Sequence, residues 1–108
     1  MDESRPIKWT ERASNDVEAI VRYLQRRDPD AAGRIGCGIF AKVEILRDQP
    51  EIGGFIAELR ESVWRKLTYR RWNIIYAFRD GTIIIGRVWP AALGEVDLTL
   101  PLTPEDAP

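Results

Sequence analysis

The runs Trp72-Asn73-Ile74-Ile75-Tyr76-Ala77-Phe78 and Ile83-Ile84-Ile85-Gly86-Arg87-Val88-Trp89, with Asp80-Gly81 between them, decide the fold. Asp-Gly between two β-rich runs signals a tight hairpin, because both central residues of a type I′ turn need φ > 0. Each run has apolar residues on both faces. Trp72, Ile74, Tyr76 and Phe78 oppose Ile75 and Ala77; Ile83 and Ile85 oppose Ile84 and Val88. Two-sided burial marks central strands of a sheet. Upstream, Val63-Trp64-Arg65-Lys66-Leu67 belongs to a basic strand expected near Ser62 to Thr68. Downstream, Pro90 closes the last central strand.

Further upstream the apolar period changes from two to about three and a half. Ile7-Lys8-Trp9 reads as a short first strand and Thr10 as the N-cap of a helix over Glu11 to Arg27. Ala13, Val17, Ile20, Val21 and Leu24 give that helix one apolar stripe. Asp28 caps a second helix with Pro29 at its first position, expected to run to Arg47. Its stripe is Ala32, Ile35, Ile39, Val43 and Leu46, with Phe40 beside it. Gly33, Gly36 and Gly38 each weaken a helix by about 1 kcal/mol relative to alanine. Close approach of the first helix or the sheet is the expected compensation. Gln49 to Gly54 reads as a loop.

The order is therefore β-α-α-β-β-β, an α+β two-layer domain. An N-terminal helical hairpin should pack on one face of a mainly antiparallel sheet. Residues 96–102, with Val96, Leu98, Leu100 and Leu102 alternating, read either as an extra C-terminal edge strand or as a segment that orders against a partner.

Composition limits the chemistry. At 108 residues the chain is one domain, residues 1–94, followed by an acidic tail, residues 95–108. It has no histidine and one cysteine, Cys37, which argues against a zinc site, an internal disulfide or a histidine-based triad. No cofactor is expected. No run approaches the ~18 apolar residues of a membrane span, and the first five residues do not resemble a signal peptide, so a cytoplasmic protein is expected. The net charge of −1 conceals a division. Up to residue 94 there are 16 basic and 13 acidic residues, a balance of +3; beyond it lie four acids and no bases, −4. Arg60, Arg65, Lys66, Arg70 and Arg71 crowd one segment. They suit phosphates or an acidic partner, or equally a strand edge guarded by charge.

These pieces in this order resemble the RelE/ParE toxin superfamily of bacterial toxin–antitoxin systems, and its ParE branch more than its RelE branch. The likeness rests on Ile7 to Ala13 with Asp16, Ile20, Tyr23 and Leu24; on Asp28-Pro29-Asp30-Ala31-Ala32; on Leu46 to Pro50 with Gly53; and on Ile74-Ile75-Tyr76 leading to Ile83 through Val88. It covers about residues 7–89. Two positions depart from the family pattern. Trp72 and Asn73 stand where Tyr-Arg is common, and Trp89-Pro90-Ala91-Ala92-Leu93 follows Val88 where a histidine and an arginine are frequent.

The resemblance implies one of two activities. RelE-like toxins cut messenger RNA on the ribosome, which requires activating a 2′-hydroxyl, stabilising a phosphorane and protonating a leaving oxygen. Asn73 and Pro90-Ala91 remove groups that such chemistry uses. ParE-like toxins bind and poison DNA gyrase, needing no catalytic set. The leading expectation is thus a non-enzymatic gyrase poison, neutralised by a ParD-like antitoxin. A rearranged RelE-like ribonuclease and an inactive antitoxin-binding homologue are the alternatives. The resemblance assigns Arg65, Lys66, Tyr69, Arg70, Arg71, Arg87 and Trp89 to target binding, and Tyr23, Phe40, Trp64 and Arg65 to the antitoxin.

Overall fold

One residue, Asp28, ends the first helix and begins the second. The computed structural model describes residues 5–56 and 63–93. Strand β1 spans Ile7–Trp9, helix α1 Glu11–Arg27 and helix α2 Pro29–Glu44. The Asp28 backbone N–H donates to the Leu24 carbonyl at 2.7 Å, closing α1. Its Oδ1 accepts from the Ala31 N–H at 3.2 Å, opening α2. Satisfying both sets of orphan groups within a single residue reverses the chain sharply. Val21 and Gly36, nearly equidistant from Asp28, consequently meet across the hairpin.

The α-helix stops at Glu44, three residues short of the sequence expectation, and tightens into a 3₁₀ turn at Ile45–Arg47. The tightening keeps Leu46 wholly buried, while Arg47 turns back to the chain start. Arg47 Nη1 donates to the Arg5 carbonyl and Arg5 Nη1 to the Arg47 carbonyl, both at 2.6 Å.

Strands β2 (Gly54–Phe55), β3 (Trp64–Tyr69), β4 (Trp72–Arg79) and β5 (Thr82–Pro90) complete a five-stranded sheet in the order β1-β5-β4-β3-β2. The sheet is mixed: β1 runs parallel to β5 and the other pairings are antiparallel. Both expected central strands are interior to the sheet. Asp80 and Gly81 take φ of 52° and 77°, as the Asp-Gly signal requires. Three details differ from expectation. Part of the expected loop forms β2; β3 is described from Trp64 and extends to Tyr69; and Pro90, instead of ending β5 beforehand, is its last residue, opposite Trp72. Short β2 is held by tertiary contacts that local pattern does not reveal. Residues 96–102, expected as a further edge, and the acidic tail lie outside the described residues.

The main core lies between helices and sheet, where Ala13, Val17, Ile39, Val43 and Leu46 meet Ile74, Tyr76, Ile83, Ile85 and Val88. A smaller cluster of Ile56, Trp64, Ile75, Ala77 and Ile84 occupies the far face. The helix-two glycines now separate by role. A Cβ at Gly36 would stand 3.2 Å from Val21, and one at Gly38 would overlap the Tyr69 hydroxyl. Gly33 faces open space, and nothing in the structure explains it.

Tyr76 anchors the loop before β2. Its ring is fully buried, and its hydroxyl accepts from the Gly53 N–H at 2.8 Å. A Cβ at Gly53 would lie 2.7 Å from that ring and 2.8 Å from the Lys66 carbonyl oxygen, so neither neighbour can yield cheaply. In chemical denaturation, Gly33→Ala should raise stability by about 0.5–1 kcal/mol. Gly53→Ala should lower it by about 1–3 kcal/mol through overpacking. Burial also raises the Tyr76 pKa above its ordinary 10.0, with the Gly53 bond and the Arg65 charge opposing that shift. The folded state therefore holds this proton more tightly than the unfolded chain. Its stabilisation is intact below pH 10.0 and declines as pH rises from there through the folded-state value. Denaturation midpoints measured up to pH 11 should show a steeper alkaline loss in the wild type than in Tyr76→Phe.

Candidate functional site

Beyond Ile85, β5 loses its neighbour, because β1 pairs only with Ile83, Ile84 and Ile85. The start of α1 takes over the exposed edge. The Thr10 N–H donates to the Ile85 carbonyl at 3.0 Å, and the Thr10 hydroxyl lies 3.0 Å and 3.1 Å from the Ile85 and Gly86 carbonyl oxygens. The same hydroxyl oxygen accepts from the Ala13 N–H at 3.1 Å, capping α1. Two turns on, Asp16 Oδ2 accepts from the Val88 N–H at 2.9 Å.

Asp16 also holds Arg87. Arg87 Nε reaches Oδ2 at 2.8 Å and Nη2 reaches Oδ1 at 3.0 Å, the fork-to-fork geometry of a strong pair. Arg87 is only 8% exposed. The register shift between Ile75 and Tyr76 lets this residue act at the sheet edge, since Gly86 drops out of the pairing. The Trp64 ring covers Gly86 so closely that a Cβ there would lie 2.7 Å from it. Trp64, assigned from sequence to the antitoxin surface, is thus packed in the far-face cluster. Trp89 is half-buried, with the Arg87 guanidinium 4.8 Å from its ring centroid. Its indole N–H is buried and has no hydrogen-bond partner among the described residues.

Arg65 is likewise engaged in structure. It donates to the Gly53 carbonyl at 2.7 Å and the Glu51 carbonyl at 3.2 Å, and lies 4.0 Å over the Phe55 ring. These contacts bind the loop and β2 to β3. Lys66 is exposed on the opposite face of β3.

The remaining sequence candidates gather at the β3–β4 turn. Arg70 occupies it with φ of 54°, a left-handed conformation that costs an L-residue about 1–2 kcal/mol. Its Nε donates to the Tyr69 hydroxyl at 3.2 Å. Arg71 is exposed, and its carbonyl accepts from the Ala91 N–H at 2.7 Å. Between this turn and α1 lies a cleft of ≈ 380 Å³, whose lining includes Ala19, Ile20 and Tyr23 from α1, Arg71 and Trp72 from the turn, and Pro90. The structure therefore brings Tyr23 and Arg71 together, although the sequence assigned them to different partners. Phe40 is not among the described residues that line that cleft: 51% exposed, it packs on Trp9 with ring centroids 5.0 Å apart. Sequence reasoning missed the cleft walls. The outward Ala19–Tyr23 pair, four residues apart on α1, was the available signal.

Among the described residues, no helix is long and apolar enough to cross a membrane. No three histidine, cysteine, aspartate or glutamate side chains there converge to hold a metal ion.

A helical hairpin over one face of a mixed sheet, with the exit strand locked to the first helix, defines the class of small RelE/ParE-type toxin folds. Residues 7–92 match the family model described as the ParE toxin of the type II toxin–antitoxin system parDE, and the chain belongs to that family. It is 37% identical over 65 residues to a protein named "Putative toxin Y4kP" from Sinorhizobium fredii, an alignment covering 58% of this chain and 68% of that one. It also shares its fold with a solved structure titled "Chromosomal ParDE TA system from P. aeruginosa", with TM-score 0.70 and 22% identity, over 82% of this chain and 98% of that one.

The buried Asp16–Arg87 pair sets a stability test. Asp16→Ala removes the carboxylate that accepts from both the Arg87 guanidinium and the Val88 N–H at the edge of β5. It should cost about 3–5 kcal/mol in denaturant unfolding, as removal of one partner of a buried pair does. Glu18→Ala, which breaks only an exposed pair with Arg22 on the same helix, should change stability by less than about 0.5 kcal/mol.

Proposed function

We propose that this chain is a toxin that arrests growth by binding and poisoning DNA gyrase, and that a ParD-like antitoxin holds it inactive. Membership of the ParE family supplies the toxin–antitoxin setting. The observation that carries the mode of action is the engagement of Arg65 and Arg87. Cutting RNA requires cations free to follow charge onto a phosphorane, beside an acid and a base. Arg65 is bound to Glu51, Gly53 and Phe55, and Arg87 to Asp16. Lys66 stands on the far face of β3, whereas Arg70 and Arg71 lie at the turn beyond its end. This dispersed arrangement suits a surface that grips another macromolecule better than a centre that performs chemistry.

On this reading the target surface is the β3–β4 turn, Tyr69 to Arg71, with Trp89 close to the end of β5. A strained arginine at a hairpin tip is the kind of feature that binding sites retain. Lys66 extends the surface over the sheet. The antitoxin contact is the outer side of the helices, where Tyr23 is 56% exposed and Phe40 also projects. Arg22 and Arg26 beside Tyr23 would meet acidic antitoxin residues there.

Induction of the chain without antitoxin, in cells carrying a DNA-damage reporter, tests the target. Growth arrest with strong reporter induction is expected. Replacing Arg70 and Arg71 together by glutamate should reduce both responses while antitoxin still co-purifies. Arrest with a silent reporter and cleaved ribosome-bound message would transfer the activity to RNA. No arrest would leave an antitoxin-binding module.

A further inference from the structure

Three glycines weaken helix α2, and one of them, Gly38, stands against the proposed target surface. A Cβ at Gly38 would lie 1.8 Å from the Tyr69 hydroxyl oxygen and 2.4 Å from Cζ of the same ring. Tyr69, the last residue of β3, therefore reaches across to α2 and rests its tip where that helix has no side chain. Its ring also packs against the main core. The next residue leans on this seated ring. Arg70 Nε donates to the Tyr69 hydroxyl at 3.2 Å, and its guanidinium carbon lies 5.6 Å from the ring centroid. Among the described residues, no carboxylate pairs with Arg70.

The β3–β4 turn needs that support because its own residues do not suit it. Tyr69 pairs with Trp72, so the turn has two central residues, Arg70 and Arg71, and only Arg70 has positive φ. Glycine is the favoured residue at such a first position. The β4–β5 turn, by contrast, puts Asp80 and Gly81 where both need positive φ. A side chain held in left-handed backbone persists where its surroundings over-determine it. Here Tyr69 stands on one flank, and on the other the Ala91 N–H donates to the Arg71 carbonyl at 2.7 Å. We infer that Gly38 and Tyr69 are positioning residues for the target surface. The missing Cβ of Gly38 seats the tyrosine, and the seated tyrosine presents Arg70 in one orientation. This inference rests on the reading that the β3–β4 turn meets the target. A side chain already fixed in its bound orientation loses less freedom on association. Gly38 thus weakens the helix and strengthens the grip.

The test places Gly38→Ala, Gly33→Ala, Tyr69→Phe and Arg70→Ala in the full chain. Nuclear Overhauser contacts should join the wild-type Tyr69 ring to the Gly38 α-protons and to the Arg70 δ-protons. Gly38→Ala should lose the Arg70 contacts without unfolding, because the atoms it displaces are the far end of one side chain. Potency is then read as the protein level that gives half-maximal growth arrest. Arg70→Ala should raise that level about tenfold, as loss of a well-placed interface arginine does, and Gly38→Ala should raise it about as much. The two together should do no more than either alone, since Arg70 is already misplaced. Gly33→Ala, which strengthens the same helix away from the turn, should leave potency unchanged. Tyr69→Phe keeps the ring and removes only the acceptor, so it tests the inference even where Gly38→Ala misfolds; it should raise the level about threefold. Losses from Gly38→Ala and Arg70→Ala that multiply would overturn the inference. Full potency in Tyr69→Phe or Arg70→Ala, or a wild-type ring without contact to Gly38, would overturn it equally. Non-additive arrest with a silent DNA-damage reporter would remove gyrase as the target and leave the positioning role in place. A wild-type chain that arrests nothing would overturn both.

Discussion

The edge of β5 past Ile85 is the place on which most of this molecule depends. A three-residue parallel strand cannot cover a nine-residue neighbour. Without cover, the carbonyls of Ile85 and Gly86 and the N–H of Val88 would lie unpaired beside the core, each at a cost of about 1–3 kcal/mol. Thr10 and Asp16 supply the missing partners from the first two turns of α1. Helix α1 is thereby attached to the sheet by hydrogen bonds as well as by its apolar stripe. The angle and height at which it lies follow from that attachment. So does the cleft, because its walls are α1 on one side and the ends of β4 and β5 on the other.

Arg87 shows how the same constraint redirects a charge. In the sequence it is one more cation at the end of a basic sheet. The bulge at Gly86 changes the pairing of the strand, and the Asp16 carboxylate, already required by Val88, lies within reach of the guanidinium. An arginine buried to this degree needs a full-strength partner, and the bidentate pair provides one. Arg65 has a parallel role on the other side of the sheet, where it replaces the hydrogen bonds that a two-residue strand cannot supply. Among the sequence candidates, Lys66, Arg70 and Arg71 are the cations left at the surface.

How far the sequence could be read varied with the range of the interactions involved. Strand β1, helix α1 and the Asp-Gly turn were legible to the residue, because caps, period and turn chemistry are local signals. The end of α2 was less so: the apolar stripe continues through Leu46, and a 3₁₀ turn buries it as well as an α-helix would. Strand β2 was invisible, since a glycine and a single phenylalanine are too short a run to show a strand period, and they owe their conformation to Arg65 and to the register with β3. Of the helix-two glycines, Gly36 and Gly38 met the anticipated helix and sheet contacts. The candidate site was recognised as a list of residues but not as a grouping. Tyr23 and Arg71 share a cleft although 48 positions separate them in the chain.

The sequence by itself determined the order of the elements apart from β2, the two-layer class and the family, because those follow from period, capping and turn residues whose effects extend over a few positions. It also determined that the chain's charge divides into a basic body and an acidic tail. Only the tertiary structure decided which cations are surface and which are structure. A guanidinium's role depends on whether a carboxylate or carbonyl stands within about 3 Å of it, and that distance is set by the packing of α1 against β5 and of the β2 loop against β3. The same packing decided that Trp64 is covered, that Tyr23 is open, and that an apolar cleft with a basic rim lies where the described chain ends.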